Sequence, residues 1–411
     1  MPPGDLDRFL SPTGRLLHAS AIRRMGTVAA RQPDIISFAA GYPAPDLFPL
    51  DELRGIAETL LAGDPDALQY GPTGGYGPLI EALAGEMARR DVRVTSQELL
   101  VTTGSQQGLD LAARVLVAPD DAVLVEAPTF TGALSAFGNA RPRCLAGVRQ
   151  DGEGIDLEDL ERVTARLRRD GARPKLLYVV PNFQNPTGKL MPQDRRRALL
   201  VWAERHDCLI VEDDPYGALY FEGEVAPDAV RPIKADDEAG RVVYLSSFSK
   251  TLAPGFRVGW MAAPASLVGR FETAKQAGDL ASGSLDQRVA CEAMQRGVVD
   301  RLVPRLRAAY RSRRDRLVAS LRARLEGRLS WVTPRGGFFL WATLVGGEQD
   351  DALLERAIEE RVIFVSGSAF FADGSGHDTI RLAFSAARET EIDEGVERLA
   401  RAISRRAMPA R

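Results

Sequence analysis

The chain has 411 residues, 45% hydrophobic and 27% charged, a balance too apolar for a disordered or fibrous protein. Lysine and arginine total 53 against 56 aspartate and glutamate, a net charge of −3, so no overall positive field recommends nucleic acid as a partner. No apolar run reaches the ~18 residues of a membrane span, residues 1–10 lack the apolar core of a secretory signal, and Cys144, Cys208 and Cys291 are too scattered for a disulfide framework, so a cytoplasmic protein of about two domains is expected. In chain order, residues 1–48 are too few for a domain and are expected to pack on the second domain or on a partner subunit. Within 49–285, short apolar runs at 99–103, 122–126, 176–180, 208–212, 242–246 and 258–262 alternate with helical stretches at 106–117, 157–168 and 193–206. Such runs suit strands buried on both faces, and the alternation predicts an α/β domain with a mostly parallel sheet covered by helices. Within 286–411, Leu302, Leu306, Leu317, Leu321 and Leu325 recur at helical spacing through an arginine-rich stretch, which predicts an amphipathic helix with its arginines solvated rather than on nucleic acid. Strands at 330–332, 338–343 and 379–384 and helices at 351–361 and 391–405 then predict a smaller α+β domain.

Ligands of open α/β sheets bind beyond the carboxyl ends of the strands, so the residues ending each apolar run are the candidates for chemistry. The run 242–250 ends in Ser247, Ser249 and Lys250, with Arg257 seven residues on. Two hydroxyls and a guanidinium suit a phosphate, and an amine beside them suits a Schiff base to a phosphorylated aldehyde such as pyridoxal phosphate. A surface lysine at a strand end is the plainer alternative. After 99–103, Gly104, Ser105 and Gln106 open a helix whose N-terminal amides could hold the same phosphate, or form an ordinary capped turn. The run 208–216 delivers Asp213, placed to pair with a protonated pyridine nitrogen, and Tyr216; metal ligation by Glu212, Asp213 and Asp214 is the rival. Asn185, in an Asn-Pro-Thr-Gly turn, could donate with Tyr216 to a phenolate oxygen, and Phe130 could lie against a cofactor ring. Arg381 interrupts an apolar strand and needs either an internal salt bridge or a ligand carboxylate. His18, His206 and His377 have no metal spacing, and no metal is expected.

Taken together, the segment 68–78 (Leu-Gln-Tyr-Gly-Pro-Thr-Gly-Gly-Tyr-Gly-Pro), Asn-Pro-Thr-Gly at 185–188, Glu-Asp-Asp-Pro-Tyr at 212–216 and Ser-Phe-Ser-Lys at 247–250 resemble a fold-type I pyridoxal-phosphate aminotransferase of the class I/II group. The likeness runs from about residue 20 to 401 and is greatest to the branch of 2-aminoadipate and kynurenine aminotransferases and the aminotransferase-like domains of MocR-type regulators. The resemblance implies that Lys250 forms the internal aldimine. It implies that Asp213 holds the pyridine nitrogen, that Asn185 and Tyr216 hold the phenolate oxygen, and that Ser105, Gln106, Ser247, Ser249 and Arg257 hold the phosphate. Tyr70 would reach the cofactor of the other subunit of a homodimer, and Arg381 would clamp the substrate α-carboxylate. Arg23 and Gly41 would join the substrate pocket; Phe130 stands where the family usually has Tyr, and Ala40 replaces a Gly. The expected function is transfer of an amino group from an L-amino acid, of aminoadipate, aromatic or branched-chain type, to a 2-oxo acid such as 2-oxoglutarate. A lyase or decarboxylase on the same scaffold is the near alternative. A cofactor-binding regulator is the distant one, and the roughly 20 residues before Ser20 are too few for its winged helix.

Overall fold

The apolar runs between residues 99 and 262 assemble into one sheet. The computed structural model describes residues 6–11, 14–16, 25–28, 30, 32 and 34–405. Its strands in chain order are β1 (Ile36–Ser37), β2 (Leu99–Thr102), β3 (Asp121–Ala127), β4 (Cys144–Asp151), β5 (Gly154–Ile155), β6 (Arg173–Val179), β7 (Leu209–Asp213), β8 (Val242–Ser247), β9 (Gly259–Ala262), β10 (Leu329–Trp331), β11 (Phe339–Leu344), β12 (Val362–Ile363), β13 (Val365–Ser366) and β14 (Thr379–Ala383). The large sheet has the order β2-β9-β8-β7-β6-β3-β4-β5.

Strands β8, β7, β6, β3 and β4 pair in parallel, as the strand–helix alternation predicts. Strand β9 runs against both β8 and β2, because the connection 248–258 is too short for a helical crossover and is closed by Phe248 N–H donating to Val258 O at 3.1 Å. The carboxyl ends of β2, β3, β6, β7 and β8 therefore share one edge. Every residue of β2, β8 and β9 is buried, which accounts for their unbroken apolar character. Strand β4 carries no such run: its residues alternate in exposure, with Arg149 outermost, and the sequence does not announce it.

Helix ends are set by local chemistry. Asp156 caps Leu157–Arg169 by accepting from the amides of Glu158 and Asp159, and Asp207 ends Gln193–His206 in the left-handed conformation. Helix Ser105–Leu116 starts at Gly104, whose φ of +75° only glycine adopts cheaply.

The smaller sheet, β10-β11-β14-β13, is antiparallel throughout and is backed by helices Val298–Leu325 and Glu389–Ser404. Strand β1 pairs in parallel with β12, and Phe38 extends the link by donating to Ile363 O and accepting from Ala383 N–H, so residues 36–38 are stitched to the second region of the chain. The two sheets meet where the turn Gly336-Gly337 presses on Phe183: a Cβ on either glycine would lie 2.5–2.6 Å from that side chain. Two arginines of helix Val298–Leu325 depart from the expected solvated face, whereas Arg301, Arg305, Arg311, Arg316, Arg322 and Arg324 are exposed as expected. Arg313 and Arg314 are buried; Arg313 bonds Ser385 O and Asp46, and Arg314 pairs with Glu224 and Asp315 over the Phe221 ring. A guanidinium fork can bridge carbonyl and carboxylate groups that no leucine could satisfy.

The sheet spacing depends on Gly259, where a Cβ would sit 2.8 Å from Ser246 O and from the Gly104 carbonyl carbon. Backbone lies on both sides and cannot swing away. Gly259→Ala should therefore destabilise the protein by about 1–3 kcal/mol, read as a lower midpoint in urea denaturation; an unchanged midpoint would show that the strands part freely.

Candidate active site

Most of the candidate side chains gather at the shared carboxyl edge of the large sheet. Lys250 follows β8, and its Nζ donates to Gly41 O at 3.1 Å and lies 5.6 Å from the centre of the Phe338 ring. Burial lowers its pKa to about 8, with Arg381 and then Arg257 adding repulsion and Asp213 opposing it. The lysine is half-buried and points into the sheet edge rather than out from the surface, unlike the plain surface residue that a strand end alone would allow.

Asp213 ends β7 and is also buried. Its Oδ2 accepts from the Tyr178 hydroxyl at 2.9 Å, whereas Oδ1 is buried with no partner among the described residues. Burial pushes this carboxyl up to about 7, opposed by the Tyr178 hydrogen bond. The neighbouring acids turn elsewhere. Glu212 accepts from the amides of Ile233 and Lys234, and Asp214 accepts from Arg90, Asn182, Tyr244 and the amide of Gly217. The three carboxylates do not converge, so the rival reading of this run as a metal site fails; their strand alternates faces and each acid has its own work.

Around Lys250 a cradle of donors forms. Ser247 Oγ donates to Ser249 Oγ at 2.6 Å, and Arg257 reaches Ser249 Oγ at 3.4 Å and Thr103 O at 3.3 Å. The helix beginning at Ser105 has no side-chain cap, because its N-cap is Gly104. A Cβ on Gly104 would lie 2.4 Å from the Arg257 guanidinium, so glycine leaves the space that the arginine occupies. Gln106 lines the same cavity, with its side-chain amide tied to Gly132 O at 3.0 Å.

Arg381 projects from β14 of the smaller sheet into this edge. It is 1% exposed, and no carboxylate among the described residues pairs with it. One terminal nitrogen donates to Asn185 Oδ1 at 2.9 Å and the other to Ala39 O at 2.6 Å, while Nε is buried without a partner. The guanidinium lies between the Phe339 and Phe370 rings, 4.2 and 5.0 Å from their centres. Desolvation lowers its pKa to about 10. Of the two alternatives for this residue, the internal salt bridge is not found.

Burial raises the Tyr216 hydroxyl above the usual phenol range, and the nearby Asn185 side chain opposes that rise. The Tyr216 ring stands edge-on to Phe338 and Phe339 at 5.4 and 5.7 Å. The turn holding Asn185 is braced from below: Gln184 donates to Pro128 O and to Glu126, which also accepts from Val180 N–H.

These side chains, with Gly41, Tyr42, Phe130 and Tyr178, line one cavity of about 480 Å³. A second cavity of about 510 Å³ lies behind Pro215 and Ser247, but its cations are already engaged: Arg90 with Asp214, Arg231 with Asp91 and Asp236, and Arg307 with Glu222. Two expected residues remain. Tyr70 is 83% exposed and outside the first cavity, and Arg23 falls outside the described residues. Tyr178 is the residue the sequence did not mark; its one signal is a hydroxyl in the middle of a buried apolar strand.

The donor set fits pyridoxal 5′-phosphate. There is an amine of lowered pKa for the aldehyde, an open buried carboxylate oxygen for the ring nitrogen, an uncapped helix start with two hydroxyls and a guanidinium for the phosphate, and an aromatic wall for the ring.

The family described as aminotransferase class I and II matches residues 33–399. Aromatic-amino-acid aminotransferase 1 of Thermococcus litoralis is 40% identical over 404 residues, covering 98% of this chain and 95% of that protein. The structure of a Pyrococcus horikoshii kynurenine aminotransferase in complex with PMP, kynurenine and its product superposes with a TM-score of 0.92 at 40% identity, covering 98% of this chain and 99% of that one. An α-aminoadipate aminotransferase from Thermus thermophilus, complexed with N-(5′-phosphopyridoxyl)-L-leucine, gives 0.89 at 36% identity, covering 97% and 98%.

Only a neutral amine attacks an aldehyde. With Lys250 lowered to about 8, capture of pyridoxal 5′-phosphate by the cofactor-free protein should accelerate as pH rises through about 8 and level off above it. Arg381→Leu removes a repelling charge and should move the inflection upward. Stopped-flow absorbance reads both; an inflection near the ordinary 10.5 in the unaltered protein would contradict the buried environment.

Proposed function

The chain belongs to the class I and II aminotransferases, and from that membership we propose how its own residues carry out the transfer. It is a pyridoxal-phosphate-dependent enzyme that moves an amino group between an amino acid and a 2-oxo acid. When bound, pyridoxal 5′-phosphate supplies an aldehyde that takes up the amino group and a ring that accepts the electrons left at the donor Cα.

In this reading Ser105, Gln106, Ser247, Ser249 and Arg257 hold the phosphate, Phe130 lies against the ring, Asn185 and Tyr216 donate to its phenolate oxygen, and Asp213 Oδ1 accepts from the ring nitrogen. Arg381 binds the substrate α-carboxylate through the donors that no internal acid consumes. Lys250 Nζ takes the proton from the donor Cα and returns it later; its lowered pKa leaves a usable share of free base near neutral pH. The observation that carries the proposal is a buried, acid-free Arg381 lining the same cavity as a half-buried Lys250. Residues 49–285 then form the cofactor-holding domain, and 286–411 the one that brings Arg381.

We further propose L-amino acids of aromatic, aminoadipate or branched-chain type as donors and 2-oxoglutarate as acceptor. The aromatic cavity wall of Tyr42, Phe130 and Phe339 supports an apolar donor side chain, and the relatives named above act on aromatic amino acids, kynurenine and aminoadipate. The active unit is a homodimer in which the exposed Tyr70 reaches the neighbouring subunit's site. The free cysteines accord with the reducing cytoplasm, and among the described residues no helix is long and apolar enough to cross a membrane.

Lys250→Ala should slow the half-reaction by about 10²–10⁴-fold, and retained turnover would refute the assignment. Arg381→Leu should raise KM for amino acids by about 10–100-fold with a smaller change in kcat, the loss of a charge-assisted bidentate contact. Product analysis should find one 2-oxo acid for each new amino acid; ammonia or carbon dioxide instead would mark a lyase or decarboxylase.

A further inference from the structure

Asp213 can serve a ring nitrogen only if its carboxylate is held in one orientation with one oxygen left open. The register of the large sheet decides what holds it. Strands β6 and β7 pair with Tyr178 opposite Val211, so Tyr178 is a diagonal neighbour of Asp213 and, two residues from that register point, projects on the same face. The Tyr178 side chain is fully buried, with its ring tilted against Phe137 at 5.8 Å between centres. Its hydroxyl donates to Asp213 Oδ2 at 2.9 Å, and it is the one side-chain donor to Asp213 among the described residues. Burial first, and then Asp213, raise the Tyr178 pKa well above the ordinary phenol value, so this O–H stays a donor throughout the working pH range. The other carboxylate oxygen, Oδ1, is left buried and unpaired at the cavity.

We propose that Tyr178 is the positioning residue for the cofactor's ring nitrogen. It acts through Asp213, and the inference rests on the functional reading above. The hydroxyl does two things at once. It fixes the carboxylate plane, so that Oδ1 faces the cavity and cannot rotate into the sheet. It also stabilises the carboxylate's negative charge against burial, which makes Asp213 a weaker base. A weaker base opposite a pyridine nitrogen leaves the shared proton on nitrogen; a stronger one pulls it to oxygen. Tyr178 thereby keeps the ring cationic, the state in which it best accepts electrons. The nearest polar groups bearing on this pair are Asp214, Glu126, Lys250 and Tyr216. Asp214 and Glu126 are each engaged by other donors, and Lys250 and Tyr216 lie at the cavity.

The test is Tyr178→Phe, which keeps the ring that packs on Phe137 and removes one oxygen. Wild-type and variant holoenzymes are prepared with pyridoxal 5′-phosphate labelled with ¹⁵N in the ring, and the nitrogen resonance is recorded at pH 7.5. Wild type should show a protonated nitrogen. In the variant the resonance should move toward the unprotonated position, cofactor affinity should fall about tenfold, and kcat should fall about tenfold with KM for the amino acid nearly unchanged. Thermal unfolding of the two cofactor-free proteins shows whether the variant is folded. A second variant, Phe137→Leu, loosens the packing and keeps the hydroxyl; it should leave the resonance in place. If Tyr178→Phe leaves the nitrogen protonated as in wild type, the positioning role is refuted while the aminotransferase assignment stands. If the wild-type protein takes up no labelled cofactor, both fall.

Discussion

Three ionisable groups, the buried Asp213 and Arg381 and the half-buried Lys250, meet in one cavity with part of their bonding capacity unspent. That is the constraint on which the rest of the site depends. An unpaired buried charge costs several kcal/mol, and a chain that only needed to fold would pair or replace it. Here the fold supplies partial partners instead. Lys250 has a single carbonyl, Arg381 has an amide oxygen, a carbonyl and two ring faces, and Asp213 has one hydroxyl. Each partner orients its group and leaves a valence open, which is the preorganised state a charged ligand needs.

That arrangement demands a rigid frame. The parallel strands put their carboxyl ends on one edge, so amine, carboxylate and phosphate cradle come from different strands and still meet within one cavity. Close approaches are made by residues without side chains: Gly104 against Arg257, Gly41 against Phe339, Gly259 against Gly104 and Ser246. Beneath them, polar residues that touch no part of the cavity keep the loops in place. Glu126 and Gln184 brace the Asn185 turn, and Arg90 ties Asp214 beside Asp213. Arg381 arrives from the second sheet, so it reaches the cavity only when the two sheets are docked through Phe183 and the Gly336-Gly337 turn.

Much of this was legible in the residues themselves. Buried parallel strands need long apolar runs, and these were visible at β2, β3, β6, β7, β8 and β9. A polar residue ending such a run has few reasons to be there, which singled out Lys250, Asp213 and Ser247. Strand β4, covered on its outer side only by the two-residue β5, was not legible, because a half-solvated strand lacks the run. Arg313 and Arg314 of helix Val298–Leu325 escaped notice for a related reason: periodicity reports which face leucines take, and is silent on a guanidinium that finds a buried carbonyl or carboxylate.

The sequence alone determined the strand–helix alternation that builds the buried parallel strands and the chemical inventory at their ends, since these follow from local apolar patterning and residue type. Only the tertiary structure decided which groups are paired. It left Arg381 without an acid, turned Glu212 and Asp214 away from Asp213, and set Tyr178 beside that carboxylate. Pairing across strands depends on register and on the docking of two sheets, and both are distances between residues far apart in the chain, which no local pattern encodes.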